Sequence, residues 1–379
     1  MSLIKNTFVI IFFSLLTLKF FDIIFGPFQD QFLVDTSIAK GTARSINLRE
    51  FNPNQYAVVR PTDHYMLGVE NLDQIDYVMD LDENGFISTG NPKSDNPEIK
   101  ILFLGGSTTE TMYVPEKQRF PSIVERNLRE KLNKNVDVLN SGVSGNNSMH
   151  SVLILLSKGI PLKPSYAVLM HNHNDFAVLY KTESYWIAPS SRSLIIDHNS
   201  HFESASMSIS YRFLKAMKDF FVPNLYSYLG PRLFALKPRD EFAGFRKKEF
   251  EELNFQEYEN QFTSSLISFI KLSRAWNIEP ILMTQANRIN SEDVLFQQWF
   301  LQNVQEELTS NEFIELYQFT NQLIREIAKT YSVPLVDLDL LVPKTDEFIY
   351  DTTHFNEAGS KLVADFITQK MLKIINQRK

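Results

Sequence analysis

From residue 98 onward, short apolar runs alternate with longer stretches whose apolar positions recur at helical spacing. Such alternation marks a parallel sheet wrapped by helices, and the fold class it gives is α/β. The runs Ile99–Leu104, Val136–Asn140, Ala167–Met170, Ile281–Thr284 and Leu335–Leu338 predict strands. Ile101–Leu104 has no polar position, which suits a strand covered on both faces. Helices are predicted after Pro121, over much of Ser148–Leu156, and through Phe250–Trp276, Ile314–Lys329 and Gly359–Ile375. In the last of these, Leu362, Val363, Phe366 and Ile367 share one face.

Three segments break this rhythm. Asn6–Leu18 carries no charge, and Lys19 and Asp22 interrupt its continuation to Phe25. A membrane span needs about 20 largely apolar residues, a length met here if the two charges snorkel or pair. No small-residue cleavage site follows, so residues 1–25 are expected to be an uncleaved single-pass anchor with its N-terminus on the inner face and the bulk of the chain extracytoplasmic; a buried N-terminal helix is the alternative. Residues 26–97 form an extended connector punctuated by Pro53, Pro61, Pro92 and Pro97. Within it, Asp82–Gly85 predicts a hairpin turn between Tyr77–Met79 and Phe86–Ile87, hence a small β element against the main domain. Residues 181–245 read as an insertion. There Tyr211, Phe213, Leu214, Met217, Phe220 and Phe221 recur at helical spacing beside Arg212, Lys215 and Lys218, up to Pro223. A lid, a surface lying against the membrane and an ordinary core helix all fit that stripe.

Composition removes several classes of function. The 379 residues carry a formal charge of −7 with no long basic run, which argues against a nucleic-acid partner. There is no cysteine, so disulfides, thiolate nucleophiles and thiolate metal sites are excluded.

The chemistry gathers at predicted strand ends. Gly105 and Gly106 close the first strand and Ser107 follows, at the carboxyl end where open α/β sheets place ligands. Ser107-Thr108-Thr109-Glu110 also fits a helix capping box with Ser107 as N-cap. A serine nucleophile needs a histidine base, and the histidine a carboxylate to fix its tautomer. Of the seven histidines only His354 has a carboxylate three residues before it, in Asp351-Thr352-Thr353-His354, just ahead of the last helix. Small residues in Asn140–Asn147 can turn backbone N–H groups toward a substrate, and Asn174, after the third strand, can add an amide. His171 and His173 could ligate a metal together, but no spacing supplies further ligands, so no metal is expected.

Four short blocks in this order resemble the SGNH (GDSL-type) hydrolase family over residues 98–379, the insertion excepted. Gly105-Gly106-Ser107-Thr108 matches its Gly-Asp-Ser block, with Gly106 in place of the aspartate. Gly145 matches the glycine block, and Asn174 the asparagine block, with Asn172 where many members have glycine. Asp351 and His354 match Asp-x-x-His. The resemblance implies a flavodoxin-like three-layer α/β/α sandwich, Ser107 as nucleophile, His354 as base and Asp351 as its orienting carboxylate. It also implies an oxyanion hole from Ser107, Gly145 and Asn174, and no cofactor. Similarity to membrane-anchored bacterial-type members implies an O-acylated cell-surface polysaccharide, or a small ester, as substrate. An O-acyltransferase using the same triad, and a catalytically silent glycan-binding or scaffold protein, are the alternatives. The insertion's aromatics, including Tyr185, Trp186, Phe202 and Tyr211, suit stacking on sugar rings or covering an acyl chain.

Overall fold

Strand β3 (Ile99–Gly105) shows why its apolar run is unbroken. Ile101 and Phe103 are buried against one layer of helices, and Leu102 and Leu104 against the other. The computed structural model describes residues 44–186, 194–197, 253–304 and 308–377. Nearly all of these belong to one unit, Ile46–Ile196 with Met217–Lys379; of the other, Met1–Ser45 with Asp197–Ala216, only Arg44, Ser45 and Asp197 are described. The candidate anchor, residues 1–25, and most of the 181–245 insertion lie outside the described residues. Among those described, no helix is long and apolar enough to cross a membrane.

With β1 (Tyr56–Val59), β2 (Tyr77–Asp80), β4 (Val136–Asn140), β5 (Tyr166–Met170), β6 (Glu279–Met283) and β7 (Leu335–Val336), the main sheet runs β4-β3-β5-β6-β7, all parallel. Counted in chain order this is 2-1-3-4-5, the order of flavodoxin-like doubly wound sheets. Helices α2 (Phe120–Leu132) and α9 (Glu357–Gln377) cover one face through Phe120, Val124, Val363 and Ile367. Helices α3 (Ser148–Ile154), α4 (His173–Thr182), α5 (Phe255–Ala275) and α7 (Ser310–Thr330) cover the other, with Phe176, Phe262, Phe269 and Phe313 in its core.

Element boundaries move where a side chain captures the backbone. Helix α7 starts four residues before Ile314, because Thr309 and Glu312 form a reciprocal capping box at 3.3 and 2.7 Å. Helix α5 starts at Phe255, behind an Asn254 cap on the Glu257 N–H, and Phe250 lies outside the described residues. The last strand stops at Val336 and a single turn, α8 (Leu338–Leu341), replaces its end. There Arg325 binds both Asp337 and Asp339, drawing the chain out of line with the ladder. The Asp82 turn forms, its Oδ1 accepting from the N–H groups of Asn84 and Phe86 at 2.8 and 2.9 Å. Its second arm pairs back briefly, through an antiparallel bridge between Leu81 and Ile87, with Asp82 N–H on Phe86 O at 2.9 Å and Ser88 N–H on Asp80 O at 2.8 Å. Ile87 also donates to Asn140 O, and β2 pairs antiparallel with β1.

Candidate active site

The sheet's register lines up the loops that carry polar groups. Gly105 is level with Met170, and Met170 with Met283, so Ser107, Asn172 and Gln285 each stand two residues past one edge. The strand order changes direction between β3 and its neighbours, and a crevice opens there. Gly106–Thr108, Met170–Asn174, Gln285 and Thr353 line it.

Ser107 is the first residue of a one-turn helix, α1 (Ser107–Glu110), not its cap. The cap is Gly106, whose carbonyl takes the Glu110 N–H at 3.0 Å, so the capping-box reading fails. Glu110 turns inward, fully buried, with Oε2 2.5 Å from Ser144 Oγ; burial pushes its carboxyl up. Ser107 Oγ is thereby left to His354, whose Nε2 lies 2.7 Å away.

His354 sits in a closed turn. Tyr350 donates its N–H to His354 O at 2.9 Å and stacks its ring on the imidazole, centroids 5.7 Å apart. Asp351 Oδ2 lies 2.6 Å from His354 Nδ1, and Oδ1 accepts from the N–H groups of Thr353 and His354 at 2.8 and 2.7 Å. Burial by itself would raise the Asp351 carboxyl. The His354 imidazole and the two backbone donors outweigh that and hold it below the ordinary carboxylate value. A carboxylate, an imidazole and a hydroxyl thus form one hydrogen-bonded chain that ends in the crevice.

Asn174, on the first turn of α4, lies across from Ser107. Its Nδ2 donates to Asn146 O at 2.7 Å, and the space beside it exists because residue 106 has no side chain. A Cβ on Gly106 would meet Asn174 Nδ2 at 2.5 Å and Asn146 O at 3.1 Å, so the aspartate of the resembling family has no room here. Of the three oxyanion-hole candidates, Ser107 and Asn174 line the crevice and Gly145 does not. At φ +82° it packs against Arg49, whose Nη1 would lie 2.1 Å from a Cβ, while Asn146 Nδ2 donates to Arg49 O at 3.1 Å. The connector therefore holds this loop, and its Asn146 carbonyl rather than Gly145 meets Asn174.

No family model matches the chain, and no curated protein sequence matches it. Solved structures similar to it include the acetylxylan esterase Axe2 of Geobacillus stearothermophilus, at 14% identity and a TM-score of 0.40, covering 73% of this chain and 94% of that one. The lipase/acylhydrolase of Enterococcus faecalis aligns at 15% identity and a TM-score of 0.40, over 72% of this chain and 95% of that one. A GDSL-like lipase of Bacteroides thetaiotaomicron aligns at 14% and 0.39, over 73% and 88%.

Behind Asn174 lies a polar group that the sequence did not single out. Asp175 is fully buried and accepts from Ser148 N–H at 2.9 Å and from the Ser148 and Tyr185 hydroxyls at 2.5 Å each. Burial raises its carboxyl to about 6 against the pull of those donors. Tyr185 is therefore a core residue, bound through its hydroxyl, and not a platform for sugar rings. Trp186 is half exposed, and Phe202 and Tyr211 lie outside the described residues. The metal pairing is not formed either. His171 Nε2 bonds Ser151 Oγ at 2.7 Å, its Nδ1 faces Asp175, and burial pushes the imidazole down to about 3. His173 packs its ring against Trp299 and Tyr317. Among the described residues no group of three His, Cys, Asp or Glu could hold a metal ion.

Proposed function

We propose that this protein is a serine ester hydrolase. The observation that carries the reading is the chain from Ser107 Oγ to His354 Nε2 at 2.7 Å and from His354 Nδ1 to Asp351 at 2.6 Å, at the mouth of the crevice. Ser107 Oγ attacks the ester carbonyl carbon while His354 Nε2 takes its proton. The oxyanion that forms meets the Ser107 N–H, which starts a helix and has no intrahelical acceptor. It also meets the second N–H of the Asn174 amide, since only one is used on Asn146 O. Collapse breaks the carbon–oxygen bond, and the leaving alcohol takes the proton from His354. Water then repeats the sequence on the acyl-enzyme and releases the acid.

The crevice is small, and Met170 supplies its one long apolar side chain among otherwise polar residues and Gly106. Those walls favour a short acyl group on a polar alcohol, and an O-acetylated polysaccharide is the natural form of such an ester outside a cell. A sugar hydroxyl in place of water would make the same centre an O-acyltransferase. Free acetate as the product, with acceptor glycan present, separates the two. The reading is tested by a fluorophosphonate probe followed by mass-spectrometric mapping. Label is expected on Ser107 alone, and only in folded protein; an unlabelled Ser107 would overturn the proposal. Gly106→Ala is expected to push the Asn174 amide aside and lower kcat on an aryl acetate by about 10–100-fold. Wild-type turnover in that variant would show that Asn174 holds no catalytic position.

A further inference from the structure

Gln285 enters none of the steps above, yet its side chain touches the parts that must stay in register. It stands just past the end of β6, is 6% exposed, and lines the crevice beside Ser107. Its Oε1 accepts the backbone N–H of His173, the first residue of α4, at 3.0 Å. Its Nε2 donates to Thr108 Oγ1, next to the nucleophile, at 2.7 Å. The orientation of the amide is fixed, because a backbone N–H can only donate and so requires the oxygen. Thr108 Oγ1 in turn makes a long 3.5 Å contact with Thr353 O, beside His354.

Gln285 is itself clamped. Asn321, fully buried on α7, accepts the Gln285 N–H at 3.2 Å and donates to its carbonyl at 3.0 Å. The backbone of residue 285 therefore cannot slide along the sheet edge without breaking both bonds of one amide. A side chain fixed at its root and bonded at both terminal atoms acts as a spacer of set length. What it spaces is the turn of Ser107 and the first turn of α4, which carries Asn174.

We propose that Gln285 is a positioning residue for acyl transfer, holding the nucleophile turn and the Asn174 turn at the separation that aims both at one carbonyl. This rests on the esterase reading above. An error of about 1 Å in such an arrangement costs on the order of 100-fold in rate, whereas ground-state binding is little affected. The amide also keeps the wall of the crevice uncharged. A carboxylate in its place could still accept from His173 N–H, but it could not donate to Thr108 and would set a negative charge near the developing oxyanion.

The test compares wild type, Gln285→Ala and Gln285→Glu on an aryl acetate across pH 5–9, with the rate of fluorophosphonate labelling and thermal unfolding followed for each. Gln285→Ala is expected to lose about 10–100-fold in kcat and in labelling rate, with KM within about threefold and a pH-independent ratio to wild type. Gln285→Glu, the same size, is expected to lose more at high pH and to recover relative to wild type as pH falls and its carboxyl regains a proton. Both variants within twofold of wild type at every pH would overturn the positioning role. So would equal, pH-independent losses in the two variants that track a lowered melting temperature, since that is the mark of a packing residue. A wild type that neither cleaves the ester nor labels at Ser107 would instead overturn the esterase reading, and the positioning role with it.

Discussion

Ser107→Ala is expected to leave no ester cleavage above the level set by the remaining oxyanion donors, a loss of about 10⁴-fold or more in kcat. The reason is specific to the geometry. Ser107 Oγ is bound to His354 Nε2 and stands at the crevice, so its removal deletes the attacking atom and leaves the donors in place. The fold should hardly notice. The residue is only partly buried, and α1 is built from backbone bonds and capped by Gly106, so a stability change within about 0.5 kcal/mol is expected. The measurement is hydrolysis of an aryl acetate by the purified variant, beside a thermal melt. More than about 1% residual kcat in a protein that melts like wild type would remove Ser107 from the mechanism.

The second large effect belongs to Asp351. Its two oxygens do different work: Oδ1 takes the N–H groups of Thr353 and His354, and Oδ2 takes His354 Nδ1. Asparagine can keep its oxygen on the two backbone donors, but its NH₂ then points at Nδ1. That forces the proton onto Nε2, the nitrogen that must accept the proton of Ser107. A loss of about 10³–10⁴-fold in kcat is expected for Asp351→Asn, smaller than that for His354→Ala, which removes the base itself. The substitution also costs stability, because these partners, against the effect of burial, hold the aspartate below its ordinary pKa. A group depressed in this way stabilises the fold above the unfolded carboxylate value and loses that contribution as pH falls below it. The melting temperature of wild type should therefore approach that of Asp351→Asn as pH is lowered through 4 toward 3. An Asp351→Asn enzyme within tenfold of wild type would mean that His354 keeps its tautomer without the carboxylate.

Much of this arrangement was written locally in the chain. A strand covered on both faces needs apolar residues at consecutive positions, so β3 and β5 could be read from Ile101–Leu104 and Ala167–Met170 alone. Asp351 and His354 are three residues apart, and such spacing brings two side chains together once the chain turns, as it does where Tyr350 N–H meets His354 O. Two of the longer helices were not legible. From Asn174 to Lys181, α4 is buried at every position, and so has no polar face to create a period. In α6 (Val294–Asn303) the apolar residues fall on both sides, with Val294 and Leu301 exposed and Phe296 and Phe300 buried.

What only the tertiary structure decided is which distant loops meet. The order β4-β3-β5-β6-β7 sets Ser107 beside Asn174 and Gln285, and it follows from how two layers of helices share one sheet, which no short window of residues specifies. The same holds for the exceptions. Gly145 has no side chain because Arg49, from far earlier in the chain, occupies the space a Cβ would fill. Tyr185 looked like a surface aromatic because nothing nearby in sequence explains its hydroxyl. Its partner Asp175 lies on the preceding helix, buried where the cost of an unpaired polar group obliges the two to meet.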